Sequence, residues 1–375
     1  MRKESEENLV RFLEDRETLD VEGNALLIFQ NGREIFRHYS GKADRDSLYR
    51  VYSMTKPITV TAALQLYERG MFEIDEPLWH YLPEYEHMTV WNSETGRTEE
   101  AKNPILIRDL FRMTAGLCYG GTSSEPERLT QVLTDEMEKE NPGCGYSTRE
   151  FARRLAGVPL LFEPGTYWHY SYCHDVLAAL IEVLSGQRFG EYLKEHIFTP
   201  LGMEHTFFRC PADQAVHLMP CRYADGAKEF DDDRFGENAR FESGGGGLLS
   251  TPDDYMNFAL ALTQGGTSKN GARILGRKTV DLLRMDQLND ESRKTFDWPY
   301  LTGYGYGLGV RTLLSPAAAG IPGTTGEFGW CGVLGTWVLM DPAEQLTAVY
   351  MHQRYPNLET FVQRHLRTMI YAALD

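Results

Sequence analysis

Strand-forming sequence lies at the two ends of this chain and helix-forming sequence lies between them, which limits the folds open to it. Near the start, NALLIFQNGREIFRHYSG (24–41) has two strand-like runs flanking Asn31-Gly32, the dipeptide preferred by tight type I′ hairpins. Near the end, YGYGLGVRT, GVLGTWVLMDP and QLTAVYMHQ read as three more strands, the last two joined across Asp341-Pro342, and a helical pattern follows from about Asn357. Roughly residues 76–240 carry helical periodicity and loops instead, as in PILIRDLFRMTAGL and DVLAALIEVLSGQRFGEYLKEHIF. The simplest packing brings the ends together. We expect an α+β fold in which residues 1–75, opening with an amphipathic helix, and residues 241–375 form one antiparallel sheet flanked by helices. Residues 76–240 form a mostly helical insertion, with a ligand site in the cleft between the two parts.

Charge excludes whole classes of partner. With 54 acidic residues against 38 basic ones, the net charge is −16, and no Lys/Arg block offsets it locally. Nucleic acid and anionic membrane surfaces are not expected partners. The opening MRKESEENLVRFLEDRETLD is charged throughout, and no later run approaches the length of a membrane span, so a cytoplasmic location is expected. Cysteines 118, 144, 173, 210, 221 and 331 include no Cys-x-x-Cys pair, and they read as free thiols, most of them buried.

The stretch RVYSMTKP places Ser53 three residues before Lys56, just ahead of a long helical run. Pro57 lacks an N–H and fits only in the first turn of that helix, which Gly70 is placed to end. Ser53 is therefore expected at the helix N-terminal edge, where unpaired N–H groups and the helix dipole favour an oxyanion. Lys56 lies on the same face and can serve as a base if burial lowers its pKa. The same spacing also suits a capping serine and a solvated first-turn lysine.

Two further pieces stand downstream. In FEPGTYWHYSYCHDVLAAL a turn meets a helix at Tyr170-Ser171-Tyr172, and a Tyr170 phenolate stabilised by the Lys56 ammonium would make a general-base pair. Asp175 is placed either to orient Tyr170 or to sit at the helix start. In GEFGWCGVLGTWVLMDP, small residues before a strand let a substrate approach an edge with a free N–H. His169, Cys173 and His174 are close in sequence, but their spacing is not that of a standard zinc site, and no metal is expected. The glycines of FDDDRFGENARFESGGGG (230–247) suggest close backbone approach or mobility in a loop.

Taken in order, SMTK, LQLYERGMFEIDEPLWHYLPE, IRDLFRMTAGL, LFEPGTYWHYS, SGGGGLLSTPDDYMNFALAL and FGWCGVLGTWVLMDP resemble the serine β-lactamase and penicillin-binding-protein superfamily, in its class C-like branch. The resemblance runs from about Asn24 to the C-terminus. It implies a β-lactamase/transpeptidase-like fold, Ser53 as an acylated nucleophile, Lys56 as its activating partner and Tyr170 as proton carrier. It implies an oxyanion hole of the Ser53 and Val333 amides, Tyr172, Trp330 and Gly332 as substrate-binding positions, and no cofactor. Two departures, Tyr170-Ser171-Tyr172 for Tyr-x-Asn and Trp330-Cys331-Gly332 for Lys-Thr-Gly, are shared with the family VIII carboxylesterases. The resemblance to that subgroup favours hydrolysis of small esters, with Trp330 as an exposed apolar wall where a cationic lysine would hold a carboxylate. A β-lactamase or D-amino-acid peptidase, an acyltransferase, and a slowly acylating sensor protein are the alternatives. The absence of any Gly-x-Ser-x-Gly gives no support to an α/β-hydrolase.

Overall fold

The computed structural model describes residues 1–15, 19–223, 232–236 and 238–374. Of the loop expected over 230–247, residues 230, 231 and 237 lie outside that set. Gly23–Gln30 and Arg33–Gly41 form the expected hairpin, and Asn31 and Gly32 both take positive φ, 52° and 69°, as a type I′ turn requires. Gly23–Gln30 then pairs antiparallel with Leu346–His352, Leu27 opposite Val349, so the chain ends meet in one sheet. Its seven strands run in the order Arg33–Gly41, Gly23–Gln30, Leu346–His352, Trp337–Asp341, Phe328–Gly329, Arg311–Leu313, Tyr304–Tyr306, every neighbour antiparallel.

Alternation along these strands feeds two cores. Leu26, Ile28, Trp337 and Leu339 face the terminal helices Lys3–Glu14 and Glu359–Ala372, with Leu9, Leu13, Leu366 and Ile370 completing that layer. Ala25, Leu27, Val338 and Met340 face the other way, into the main core. There the helices Thr55–Glu68 and Cys173–Ser185 pack together, both buried along most of their length.

Three local expectations are corrected. The run YGYGLGVRT is a hairpin of two short strands, because Gly309 at φ 72° turns the chain and the Gly307 amide bonds the Val310 carbonyl. The stretch 76–240 contains a hairpin of its own, Thr89–Asn92 with Arg97–Glu100, whose second strand is exposed and polar and so carries no apolar alternation to read. The third-motif strand is interior rather than an edge. Arg311–Leu313 pairs only with Phe328 and Gly329, and among the described residues no strand pairs with the chain from Trp330 onward on that side.

The glycine run is explained by close approach. A Cβ on Gly244 would lie 2.3 Å from the His174 carbonyl oxygen, and one on Gly245 would lie 2.5 Å from Asp175 Oδ2. The segment therefore threads beside both central helices with its backbone as the contact surface.

Candidate active site

Val51 to Leu66 is a buried stretch in which Ser53 alone is partly open. Ser53 sits in a single 3₁₀ turn, Tyr52–Met54, that leads into Thr55–Glu68, and Tyr52 before it holds φ 42°, a left-handed conformation that costs a bulky residue energy. Pro57 occupies the helix's first turn and Gly70, at φ 70°, follows its end, both as the sequence required.

The Lys56 side chain is fully buried, and its Nζ donates to Gly245 O at 2.6 Å, Ser53 Oγ at 3.1 Å and Tyr119 Oη at 3.3 Å. It also lies 4.4 Å from the centre of the Tyr170 ring. Burial lowers the Lys56 pKa to about 7, against a smaller upward pull from Asp175 and nearby thiols. Tyr119 was not singled out in the sequence; the one signal was a tyrosine set against Gly120-Gly121 in a loop.

Tyr170 lies among Tyr119, Trp298 and Trp330, with ring centres 5.8, 5.4 and 5.6 Å away. Its pKa moves up, not down. Burial raises it, hydrogen bonding with Ser53 and Trp330 pulls less strongly the other way, and Cys331 and Glu359 add to the rise. The phenolate expected from the sequence is thus corrected to a phenol, because burial outweighs the hydrogen bonds with Ser53 and Trp330 that favour the charged form.

Trp330 is corrected as well. It is 2 % exposed, packed edge-on against Tyr306 at 5.3 Å, and its indole N–H donates to Tyr170 Oη at 3.0 Å. An indole can only donate, so it takes a lone pair of the phenol and leaves the phenolic proton to point elsewhere. Tyr172 packs edge-on against Tyr119 at 4.5 Å and Phe151 at 4.9 Å.

Asp175 does not touch Tyr170. Buried beneath Lys56, it accepts from the Ser243 hydroxyl and from the Gly245 amide at 3.2 Å, and the carbonyl of Gly245 is the one that accepts from Lys56. A single residue, Gly245, therefore stands between the carboxylate and the amine, bonded to the first through its amide and to the second through its carbonyl. His174 bonds the Phe111 carbonyl through Nε2, and burial lowers its pKa to about 3, so it is a neutral core residue.

Gly332 packs against the segment before Ser53; a Cβ there would lie 2.4 Å from the Val51 carbonyl oxygen, which also accepts from Thr336 Oγ1 at 3.2 Å. Val333 follows, 37 % exposed, its carbonyl accepting from Asn357 at 2.9 Å; among the described residues its amide has no partner. A cavity of about 570 Å³ bordered by Arg188, Phe198, Met203, Phe208 and Glu242 is lined by none of these residues, and the convergence of titratable groups, not cavity size, marks the site.

A family model described as Beta-lactamase matches residues 10–373. An uncharacterised protein of Mycobacterium tuberculosis is 33% identical over 327 residues, covering 84% of this chain and 79% of that protein. Esterase EstB of Burkholderia gladioli is 28% identical over 383 residues, covering 93% and 91%. Among solved structures, EstCE1, a hydrolase with promiscuous acyltransferase activity, superposes with a TM-score of 0.79 at 23% identity over 98% of both chains. Simvastatin synthase from Aspergillus terreus gives 0.80 at 21% over 99% of both, so the sheet with its helical insertion is the shared β-lactamase/transpeptidase-like fold. With a match running from the first helix to the last, this chain belongs to the Beta-lactamase family.

Proposed function

We propose that this protein is a serine hydrolase of small carboxylic esters, working through an acyl-enzyme on Ser53. The observation that carries the reading is the set of three contacts at Lys56 Nζ. A neutral amine has two N–H bonds and one lone pair. If the N–H bonds go to Gly245 O and Tyr119 Oη, the lone pair faces the Ser53 hydroxyl at 3.1 Å, and a pKa of about 7 keeps a large neutral fraction at neutral pH.

In acylation, Ser53 Oγ bonds to the ester carbonyl carbon as its proton passes to Lys56, and the Ser53 and Val333 amides take the oxyanion. The ester C–O bond then breaks, and the Lys56–Tyr170 pair delivers that proton to the departing alkoxide through the phenol. Water repeats the sequence in reverse, giving its proton to the pair, and Ser53 leaves protonated. The departing side carries the neutral Trp330–Tyr170 pair and the Glu359 carboxylate, so it suits uncharged alcohols. EstB, named an esterase and aligned over 93% of this chain, supports the ester class.

Steady-state hydrolysis of neutral p-nitrophenyl esters against free-acid penicillins tests this reading. Readily turned-over esters with slow penicillins are expected; penicillins hydrolysed as fast as the best esters would contradict it. A second reading, acyl transfer to an alcohol, is favoured by the acyltransferase mokF of Monascus pilosus, 30% identical over 66% of this chain and 59% of its own length. An added alcohol that diverts the acyl group into a new ester would favour that reading.

A further inference from the structure

The resemblance that points to an esterase also removes the cation from the third motif, yet the site retains one. Arg234, on the single turn Asp232–Phe235, holds its guanidinium 5.1 Å from the centre of the Tyr52 ring and 6.0 Å from that of Phe235. Tyr52 is the residue before Ser53, and its ring meets Phe235 edge-on at 5.8 Å, in an apolar cluster with Leu249 and Leu334. Among the described residues the arginine is therefore held by these aromatic side chains, the Tyr52 hydroxyl included, and not by a paired carboxylate. Among the described residues it makes no ion pair, and its main electrostatic partners are Tyr52, Tyr172 and the Cys144 thiol. A half-buried guanidinium with no ion-pair partner among the described residues is costly to keep, and contact with aromatic rings offsets only part of that cost.

Its position relative to the reaction is set by what it acts on. Its field reaches Tyr172, Asp175 and Lys56, while the groups acting on Tyr170 are Ser53, Trp330, Cys331 and Glu359. The leaving alcohol departs toward Tyr170. The side bounded by Tyr52 and Tyr172 is then left for the acyl chain, so the two ends of the site differ in charge, Glu359 beyond Tyr170 and Arg234 beyond Tyr52.

We propose that Arg234 is an anion-recognition residue for the acyl part of the substrate, and that the preferred substrates are esters whose acyl chain ends in a carboxylate, that is, half-esters of short dicarboxylic acids. The inference rests on the ester-hydrolase reading above. The planar guanidinium fork suits a two-point contact with a carboxylate. Such a contact uses acyl-side charge while leaving the alcohol side neutral. It also separates these substrates from penicillins, whose carboxylate lies on the departing amine.

The test compares monoethyl glutarate with ethyl pentanoate, matched in acyl chain length, by titrating the acid released by the wild type, Arg234→Gln and Arg234→Lys. The readout is the ratio of kcat/KM for the anionic over the neutral ester. In the wild type the ratio is expected above one and to fall as salt is added, because the contact is ionic. Arg234→Gln should lower it roughly ten- to a hundredfold, and Arg234→Lys should restore part of the loss. A ratio unmoved by Arg234→Gln, with ethyl pentanoate still hydrolysed, contradicts the assignment and leaves the ester-hydrolase reading standing. Failure of the wild type to hydrolyse either ester would overturn both. An independent readout is protection against thermal unfolding by free glutarate, expected in the wild type and lost in Arg234→Gln; equal protection of both proteins would also overturn the proposal.

Discussion

The indole N–H of Trp330 donates to the phenolic oxygen of Tyr170 at 3.0 Å, which ties the third-motif tryptophan to that phenol instead of leaving it exposed. Because the indole is a donor only, the phenolic proton is left to point elsewhere, which in the proposed mechanism is toward the reacting oxygen.

Trp330→Phe keeps the ring and removes the donor. Loss of one hydrogen bond of about 1 to 1.5 kcal/mol predicts a fall in kcat of about tenfold. The fall should be larger for alkyl esters, whose leaving group needs the proton, than for p-nitrophenyl esters, whose leaving group does not. The ratio of the two rates checks it, and an equal loss on both would argue that the bond only supports packing.

In the proposed mechanism the pKa of Lys56, lowered to about 7 by burial, should set the acid limb of activity. The amine must be neutral to accept the Ser53 proton, so kcat/KM should rise with pH through about 7 and then level. The stability consequence has a definite sign. Between about 7 and the ordinary lysine value of 10.5 the unfolded chain holds a proton that the folded chain does not, so folding stability should increase with pH across that window. Denaturant titrations at several pH values should show this rise in the wild type and lose it in Lys56→Met.

Asp175 should act through Gly245, not through Tyr170. Asp175→Asn can still accept from Ser243 and Gly245 but loses the charge that raises the Lys56 pKa, so the acid limb should move to lower pH with turnover largely kept. Asp175→Ala loses the hold on the Gly245 peptide and should cost roughly tenfold or more in kcat. Identical pH profiles for wild type and Asp175→Asn would count against this coupling.

Lys56 and Tyr170 should behave as one unit. Lys56→Ala and Tyr170→Phe should each lower turnover by roughly 10² or more, and the double variant should lose little beyond the worse single. Losses that multiply in a double-mutant cycle would mean the two act independently.

What could be read in the sequence was what rests on local chemistry. Asn31-Gly32 specified its turn, Pro57 and Gly70 bounded the helix behind Ser53, and strand runs at the two ends specified a shared sheet. What could not be read depended on contacts between distant segments. The burial of Trp330 is made by Tyr306 and Tyr170, 24 and 160 residues away, and the direction of the Tyr170 shift follows from that enclosure. Tyr119 and Arg234 stood in loops without periodicity, and only folding places them beside Lys56 and Tyr52. Asp175 was legible as a residue of interest, but its partner, a glycine peptide 70 residues on, was not.

The central claim is the covalent chemistry of Ser53, and intact-mass analysis after treatment with a fluorophosphonate tests it most directly. One adduct per chain is expected in the wild type, mapped by peptide digestion to Ser53, with none in Ser53→Ala. Full labelling of the Ser53→Ala variant would contradict the account and place the nucleophile elsewhere.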